Sequence, residues 1–223
     1  MAAGDSIERD SQAQGFDFHE SIPKRALIDP ELQKVMLAMC LQPTESGFGV
    51  DGSELSFYFD LDYFGAPYTS IRTIDIAPRL LPQFMDQLSD TVANAVSPNS
   101  ERADALVFLK RNSGGPVGMI AARASLIEKM RTPSLVVDPH RRILAGQIKP
   151  WPITPDIKPV LVMDMTATGE EVFDTVEPLS RAGLKGIRVV TLFDTNEGAR
   201  EKLALAHIPL TVIMSVEDMV TAA

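Results

Sequence analysis

The sequence predicts an α/β fold in which a parallel five-stranded sheet is flanked by helices and preceded by a small N-terminal subdomain, or hood. After residue 103, five short apolar runs alternate with helical patterns. Continuous apolar strands of this kind form parallel sheets that helices cover on both faces. The chain has 223 residues, which suits one large domain with an appendage. We expect a flexible tail over residues 1–25, the hood over 26–102 and the α/β core over 103–223.

Composition and charge narrow the class of protein. Apolar residues make up 45% and charged residues 23% of the chain, which is typical of globular proteins and excludes a fully disordered chain. The net charge of −9 argues against nucleic-acid binding, which relies on Lys and Arg neutralising phosphates. Cys40 is the single cysteine, so the chain cannot form an internal disulfide or a Cys-rich zinc site. No apolar run approaches the roughly 20 residues of a membrane helix. The N-terminus lacks the apolar segment of a secretory signal. We expect a soluble cytoplasmic protein that binds neither nucleic acid nor membrane.

The hood is predicted to contain two helices and an antiparallel pair of strands. Asp29 is a typical helix cap, and Pro30 suits the first helical position. The aromatic segment after residue 54 alternates as a strand does. The predicted elements are a helix from Asp29 to Cys40, a turn over 47–52, paired strands over Leu55–Leu61 and Tyr68–Ile74, and a helix from about Pro78 to Val96.

The core is predicted to alternate strands with helices. The five strands are predicted over 105–109, 134–137, 159–163, 186–193 and 209–214, and the helices end near residue 130 or run over 170–182 and 197–206. The segment Asp138–Asp156 has no clear period and holds four prolines. Because a loop of this length inside a compact domain is often functional, we expect it to be an active-site lid.

The chemistry is expected at the carboxyl ends of the strands, where open parallel sheets bind their ligands. Three segments qualify, at residues 110–115, 138–148 and 164–171. In the third, an apolar strand ends in Asp164, and a Thr/Gly turn through Gly169 opens a helix. An acid at this place can hold ribose hydroxyls, while threonine hydroxyls and the backbone N–H groups of a helix N-terminus can bind phosphate.

The segment Val160–Gly169 resembles the phosphoribosyl diphosphate motif of the type I phosphoribosyltransferases, and within that family the chain is most similar to orotate phosphoribosyltransferase. Residues 48–61 are similar to that protein's Phe-x-Leu-Lys-Ser-Gly stretch, and Asp194–Gly198 resembles its Asp-Arg-x-Glu-x-Gly turn. The resemblance runs from about residue 30 to the end of the chain. It implies a type I phosphoribosyltransferase fold and the transfer of ribose 5-phosphate from phosphoribosyl diphosphate to orotate.

The resemblance also supplies candidate site residues. The residues implied for phosphate and ribose binding are Asp164, Thr166, Thr168 and Gly169. Those implied for the diphosphate loop are Gly114 and Gly115, and those implied for the lid are His140, Arg141 and Arg142. Mg²⁺ is implied only together with bound phosphoribosyl diphosphate, and we assign no catalytic residue and no metal ligand. The implied partners are a phosphorylated sugar, a second copy in a homodimer, and another protein subunit.

Several positions depart from the family pattern. Met163 stands where the first of two adjacent acids is expected, and Glu170 and Glu171 stand where the phosphate turn has glycine and serine. Asp51 stands in place of a lysine, and Thr195 in place of an arginine. At an effective dielectric constant of 20 and ~4 Å, each carboxylate beside a phosphate costs on the order of 4 kcal/mol, and less if its side chain turns to solvent.

The lid departs from the pattern as well. The family's Arg-Lys-Glu-x-Lys motif aligns with residues 138–142, where Arg142 alone keeps a charge at a lysine position. Orotate and the diphosphate are both anions, so these changes remove cations that would meet them. The first hypothesis is therefore a diverged, catalytically impaired protein that acts by ligand or partner binding, as a regulator or a partner subunit.

Two alternatives stay open. One is an active phosphoribosyltransferase that uses another base or borrows cations across a dimer, and the other is an ordinary orotate phosphoribosyltransferase with an atypical site. The residues also have simpler interpretations. Asp164 would cap the following helix, Thr166 and Thr168 would form a tight turn, and Glu170 and Glu171 would complement the helix N-terminus.

Overall fold

The structure of the protein is a computed structural model that describes residues 29–30, 33–34, 36–37, 41–50, 53–59, 77–97, 103–109, 134–138, 142–144 and 156–218. Several predictions fall outside these residues. They concern the tail, the strand Tyr68–Ile74, the helix that ends near residue 130, and the candidates Gly114, Gly115, His140 and Arg141.

The first described segment, which falls in the region predicted as the hood, is helical, as expected. Residues 30, 33, 34, 36 and 37 are helical, and the carbonyl of Asp29 accepts a hydrogen bond from the amide of Gln33 at 2.8 Å. Met36 is fully buried. The helix therefore starts where the Asp-Pro pair indicated and turns this methionine inward.

Two antiparallel strands follow in the hood. Strand β1 (Leu41–Val50) pairs with β2 (Ser53–Phe59), with Leu41 opposite Phe59 and Val50 opposite Ser53. The predicted turn over 47–52 is wrong, because only residues 51 and 52 separate the strands. Asp-Gly is a sequence that favours two-residue hairpin connections, whereas Pro43, Gly47 and Gly49 are poor strand formers and concealed the strand pattern of β1.

Helix α1 (Ala77–Val96) confirms the predicted long amphipathic helix. Leu88, Val92 and Val96 are buried and lie four residues apart, so they form one face. At its C-terminal end the carbonyl of Val96 accepts a hydrogen bond from the Arg188 guanidinium at 2.9 Å. This contact connects α1 to the start of a strand in the main sheet.

The main sheet contains the five predicted parallel strands and one antiparallel edge strand. The strands are β3 (Ala105–Leu109), β4 (Ser134–Asp138), β5 (Arg142–Leu144), β6 (Pro159–Thr166), β7 (Arg188–Asp194) and β8 (Leu210–Ser215). Their order is β5-β4-β3-β6-β7-β8, and β5 is antiparallel to β4 while the other neighbours are parallel. The α/β prediction is confirmed. The expectation of a lid without regular structure is wrong for Arg142–Leu144, because three residues are too few to show a period.

The two helices that follow β6 and β7 pack on one face of this sheet. Helix α2 (Glu170–Arg181) follows β6, and α3 (Ala199–Leu205) follows β7. Leu161 and Met163 of β6 pack with Val172 of α2 and Leu203 of α3 in one buried cluster. Helix α3 is shorter than the predicted 197–206 because Gly198, in a left-handed conformation, is its cap. Among the described helices, none is long and apolar enough to cross a membrane.

The strand order fixes where a ligand is expected. From β3 the chain passes to β4 on one side of the sheet and to β6 on the other. Such a reversal leaves a crevice at the carboxyl ends of the strands. The carboxyl end of β6 carries Asp164 to Gly169, so the fold places the predicted phosphate segment at this crevice.

Candidate functional site

Two turns lie side by side at the carboxyl ends of β6 and β7. Residues 167–169 form the β6–α2 turn, and residues 195–198 form the β7–α3 turn. The strands that carry them are in register, with Thr166 opposite Asp194. Each turn leads into a helix, so the first N–H groups of α2 lie at this edge of the sheet. Such N–H groups can bind an anion.

Gly169 gives the β6–α2 turn its shape. Its φ is +82°, in the left-handed region, and it is the cap residue of α2. Its carbonyl accepts the amide of Phe173 at 3.2 Å, which starts the helix. A Cβ at this position would lie 3.4 Å from the Cα of Ala199, which is van der Waals contact. Glycine is therefore required by the backbone conformation, and the turn packs directly on the start of α3.

Asp164 and Met163 differ in their surroundings although they are neighbours in β6. Met163 is fully buried in the cluster with α2 and α3. Asp164 points to the other face of the sheet, is half-buried, and accepts a hydrogen bond from the amide of Met165 at 2.9 Å. The interpretation of Asp164 as the cap of α2 is wrong, because Gly169 holds the cap position.

The two threonine candidates also differ in burial and in position. Thr166 is fully buried, and its hydroxyl donates to Oδ1 of Asp194 at 3.4 Å. Thr168 is half-buried in the β6–α2 turn itself. The structure therefore places Asp164, Thr168 and Gly169 around the crevice, while Thr166 joins the turn to the next strand.

The glutamates at the start of α2 are not equivalent. Oε1 of Glu170 lies 3.4 Å from Nζ of Lys202 on α3, and the Glu170 side chain is 62% exposed. Nζ of Lys202 also lies 5.7 Å from the centre of the Phe173 ring. Glu171 is half-buried. Lys202 and solvent therefore screen the charge of Glu170 against a bound anion.

An ion pair between a buried aspartate and a half-exposed arginine near the β7–α3 turn was not predicted from the sequence. Asp194 is fully buried, and its Oδ2 accepts a hydrogen bond from Nε of Arg200 at 2.6 Å. Its Oδ1 also accepts the amide of Asn196 at 3.3 Å. An acid that ends an apolar strand, with an arginine in the first turn of the following helix, is the sequence signal that could have found this pair.

Thr195 is a second feature that the sequence did not reveal. It occupies the position where the family pattern has arginine, and it is buried. Its hydroxyl is buried without a hydrogen-bond partner in the described part of the chain. Its backbone amide donates to the carbonyl of Thr166 at 3.0 Å. The position therefore supports the sheet edge and supplies no cation there.

The lid candidate Arg142 lies on the same edge but farther away. It opens β5 and pairs with Asp138 at the carboxyl end of β4. Three strand spacings separate β5 from β6, which is about 14 Å. No group of three or more His, Cys, Asp or Glu side chains within the described ranges is arranged to hold a metal ion.

Comparisons with known proteins give the fold. No family model matches the chain. Among curated proteins, it is 38% identical to the orotate phosphoribosyltransferase of Natronomonas pharaonis over 60 residues, which are 27% of this chain and 35% of that protein. It is 37% identical to the orotate phosphoribosyltransferase of Methanosarcina mazei over 68 residues, or 29% and 36% of the two chains. The chain thus matches about a third of the length of these relatives.

Solved structures match over most of the chain. The orotate phosphoribosyltransferase of Aeropyrum pernix superposes with a TM-score of 0.57 at 20% identity, over 85% of this chain and 97% of that one. The UMP synthase of Leishmania donovani gives 0.59 at 19% identity, over 86% and 37%. Adenine phosphoribosyltransferase of Trypanosoma brucei gives 0.57 at 10% identity, over 84% and 80%. The chain has the type I phosphoribosyltransferase fold, and the predicted resemblance to orotate phosphoribosyltransferases is confirmed.

Proposed function

We propose that this protein is a diverged orotate phosphoribosyltransferase-like protein that binds a phosphorylated ribose at the β6–α2 turn and has lost orotate transfer. It acts by binding, as a regulator or as a subunit of an assembly. The observation that carries the proposal is the position of Met163. The family pattern has an acid there, whereas this chain has a methionine that is wholly buried in the core.

Loss of transfer is supported by the charges at the site. Of the two adjacent acids in the pattern, Asp164 alone is present. Thr195 supplies no cation at the end of β7, and the pattern's lysine in the hood is Asp51. Removing one preorganised charge partner typically lowers a rate by roughly 10²–10³. Several such losses together leave little turnover of an anionic base.

Retained binding is supported by the geometry of the turn. Gly169 keeps the left-handed conformation that lets the backbone approach a ligand. Thr168 and Asp164 lie half-buried beside it, and the N-terminus of α2 follows directly, a position where proteins commonly bind phosphate. The glutamate nearest the turn, Glu170, has its carboxylate drawn towards Lys202. This contact lowers the electrostatic cost of a phosphate there.

Mg²⁺ belongs to the proposal only as the companion of phosphoribosyl diphosphate. Carboxylates such as Asp164 are suitable ligands for Mg²⁺, which otherwise keeps water and phosphate oxygens around itself. A bound Mg²⁺ would supply positive charge to the diphosphate, while Asp164 of this chain would orient the ribose hydroxyls and Thr168 would donate to a phosphate oxygen.

The alternative is an active phosphoribosyltransferase acting on orotate or another base. The half-buried Asp164 at the crevice favours it, because one acid remains where ribose would lie. In that case a neighbouring copy would have to supply the missing cations.

Calorimetric titration tests the proposal. Phosphoribosyl diphosphate with Mg²⁺, and separately ribose 5-phosphate, are titrated into the wild type and into Asp164→Asn and Thr168→Val, which conserve side-chain volume. We expect wild-type binding that both substitutions weaken, without formation of orotidine monophosphate when orotate is added. Absence of binding by the wild type would contradict the binding role, and rapid product formation would establish the alternative.

A further inference from the structure

We infer that Asp194 and Arg200 form a positioning pair that sets the conformation of the β6–α2 turn from the neighbouring strand. The inference deepens the proposed function and rests on it, because it concerns how the proposed ligand site is held. Neither residue lies in the β6–α2 turn. The pair acts through Thr166, the last residue of β6, and through the start of α3.

The carboxylate of Asp194 is the centre of this arrangement. It is fully buried, and a buried carboxylate is costly unless it is paired and hydrogen-bonded. Nε of Arg200 donates to Oδ2 at 2.6 Å. Oδ1 accepts from the hydroxyl of Thr166 at 3.4 Å and from the amide of Asn196 at 3.3 Å. One carboxylate thus connects the end of β6, the β7–α3 turn and the first turn of α3.

Backbone contacts carry the same connection to the β6–α2 turn. The amide of Thr195 donates to the carbonyl of Thr166 at 3.0 Å, and the amide of Ala199 donates to the carbonyl of Ala167, also at 3.0 Å. Gly169 packs on Ala199 so closely that an added Cβ would lie 3.4 Å from its Cα. Movement of the start of α3 would therefore displace both ends of the turn.

Arg200 can hold α3 in this place because of the chain path. Asn196 adopts a φ of +61° and Gly198 a φ of +99°, which turn the chain sharply after Asp194. The turn brings Arg200, six residues later, back to the buried carboxylate. Gly198 adopts this conformation without steric cost, and the small cost at Asn196 is offset by the ion pair and the hydrogen bonds that the turn organises.

The expected consequence is preorganisation. A turn held in its binding conformation loses less freedom when a ligand arrives. At metal sites, partners that orient the binding residues typically change affinity by about 10- to 100-fold, and we expect an effect at the lower end of this range here. We therefore expect Asp194→Asn and Arg200→Gln to weaken binding of ribose 5-phosphate by about tenfold, and Arg200→Lys, which keeps the cation, to restore part of it.

The test combines amide hydrogen exchange with titration of ribose 5-phosphate. The variants are Asp194→Asn, Arg200→Gln and Arg200→Lys. Arg181→Gln is the control, because Arg181 forms an exposed ion pair with Glu177 at the far end of α2. Exchange is followed for the peptide containing residues 166–170 and for peptides of β3 and β6 in the core, with urea unfolding of each variant.

We expect faster exchange at residues 166–170 in Asp194→Asn and Arg200→Gln, by about tenfold, with the core peptides and the control unchanged. Unchanged exchange at the turn would overturn the inference, and so would an equal increase across the core, which means general destabilisation. If Asp194→Asn does not fold, the half-exposed Arg200 provides the variant that decides. If the wild type does not bind ribose 5-phosphate, the proposed function fails while the exchange data still decide the inference.

Discussion

At the scale of single residues, Met163 and Asp164 are neighbours in β6 but lie in different surroundings, the first in the core and the second at the candidate site. Successive strand residues point to opposite faces, so Met163 packs under α2 and α3 while Asp164 faces the other way. The sequence alone indicated a missing acid at position 163. The structure shows in addition that the Met163 side chain completes a hydrophobic cluster, so it does not face the crevice.

Met163→Asp tests whether position 163 belongs to the core. We expect a loss of about 3 kcal/mol or more in the free energy of unfolding, because the change removes buried volume and buries a carboxyl group. Met163→Leu is the matched control and should cost less than about 1.5 kcal/mol. Urea unfolding measures both. A stable Met163→Asp protein would instead place this residue at the crevice.

Gly169→Ala tests the conformation of the β6–α2 turn. An alanine forced into the left-handed region costs about 1–2 kcal/mol, and the added methyl group would lie in van der Waals contact with Ala199. We expect lower stability together with weaker binding of ribose 5-phosphate. Gly183→Ala is the control, since Gly183 has a φ of +91° with open space around it at the other end of α2. If the two variants bind ribose 5-phosphate equally well, the turn is not the ligand site.

At the scale of secondary-structure elements, the first turn of α2 decides how well a phosphate can bind. Glu170 and Glu171 favour the helix itself, because acids complement the partial positive charge of a helix N-terminus. The same charges oppose an anionic ligand. The contact between Glu170 and Lys202 reduces this opposition for Glu170.

The double substitution Glu170→Gly, Glu171→Ser restores the family pattern at this turn. We expect tighter binding of ribose 5-phosphate, by about tenfold or more, since each charge removed from a solvent-screened pair is worth about 1 kcal/mol. Each single substitution should give part of the gain, and orotate transfer should stay absent. Calorimetry on the wild type, both single variants and the double variant measures this. Equal affinities would mean that the glutamates are not the obstacle.

Elements with a strong apolar pattern were predictable, and others were not. Strands β3, β4, β6, β7 and β8 and helices α1 and α2 follow from continuous or periodic apolar residues. Strand β5 is three residues long, and β1 contains proline and glycines, so neither shows a period. The site was predictable as far as Asp164, Thr168 and Gly169, which are close in sequence. The Asp194–Arg200 pair joins residues on either side of the β7–α3 turn, and although Asn and Gly favour left-handed conformations, their presence does not determine that this pair forms.

At the scale of the whole molecule, we propose a homodimer, which the family resemblance implies. Met36 of the first helix is buried within the chain, so it adds no apolar surface for a partner. In the alternative function, in which a neighbouring copy supplies cations, a dimer would complete a site that lacks them at positions 51 and 195.

Sedimentation velocity measures the assembly directly. We expect a species of about twice the chain mass of 24.3 kDa at micromolar concentration. Addition of ribose 5-phosphate should favour the dimer if the neighbouring copy completes the site, because a ligand that binds only the assembled form shifts the equilibrium by mass action. A monomer with and without ribose 5-phosphate would contradict the proposed dimer.

We propose above all that this protein binds a phosphorylated ribose without transferring it to orotate. The most direct measurement follows orotidine monophosphate formation at saturating phosphoribosyl diphosphate, Mg²⁺ and orotate, after calorimetry has established that phosphoribosyl diphosphate binds. We predict binding together with a turnover below about 0.01 s⁻¹, which is at least a thousandfold below a typical enzyme. Turnover near 10 s⁻¹ would contradict the claim and would make this protein an active transferase.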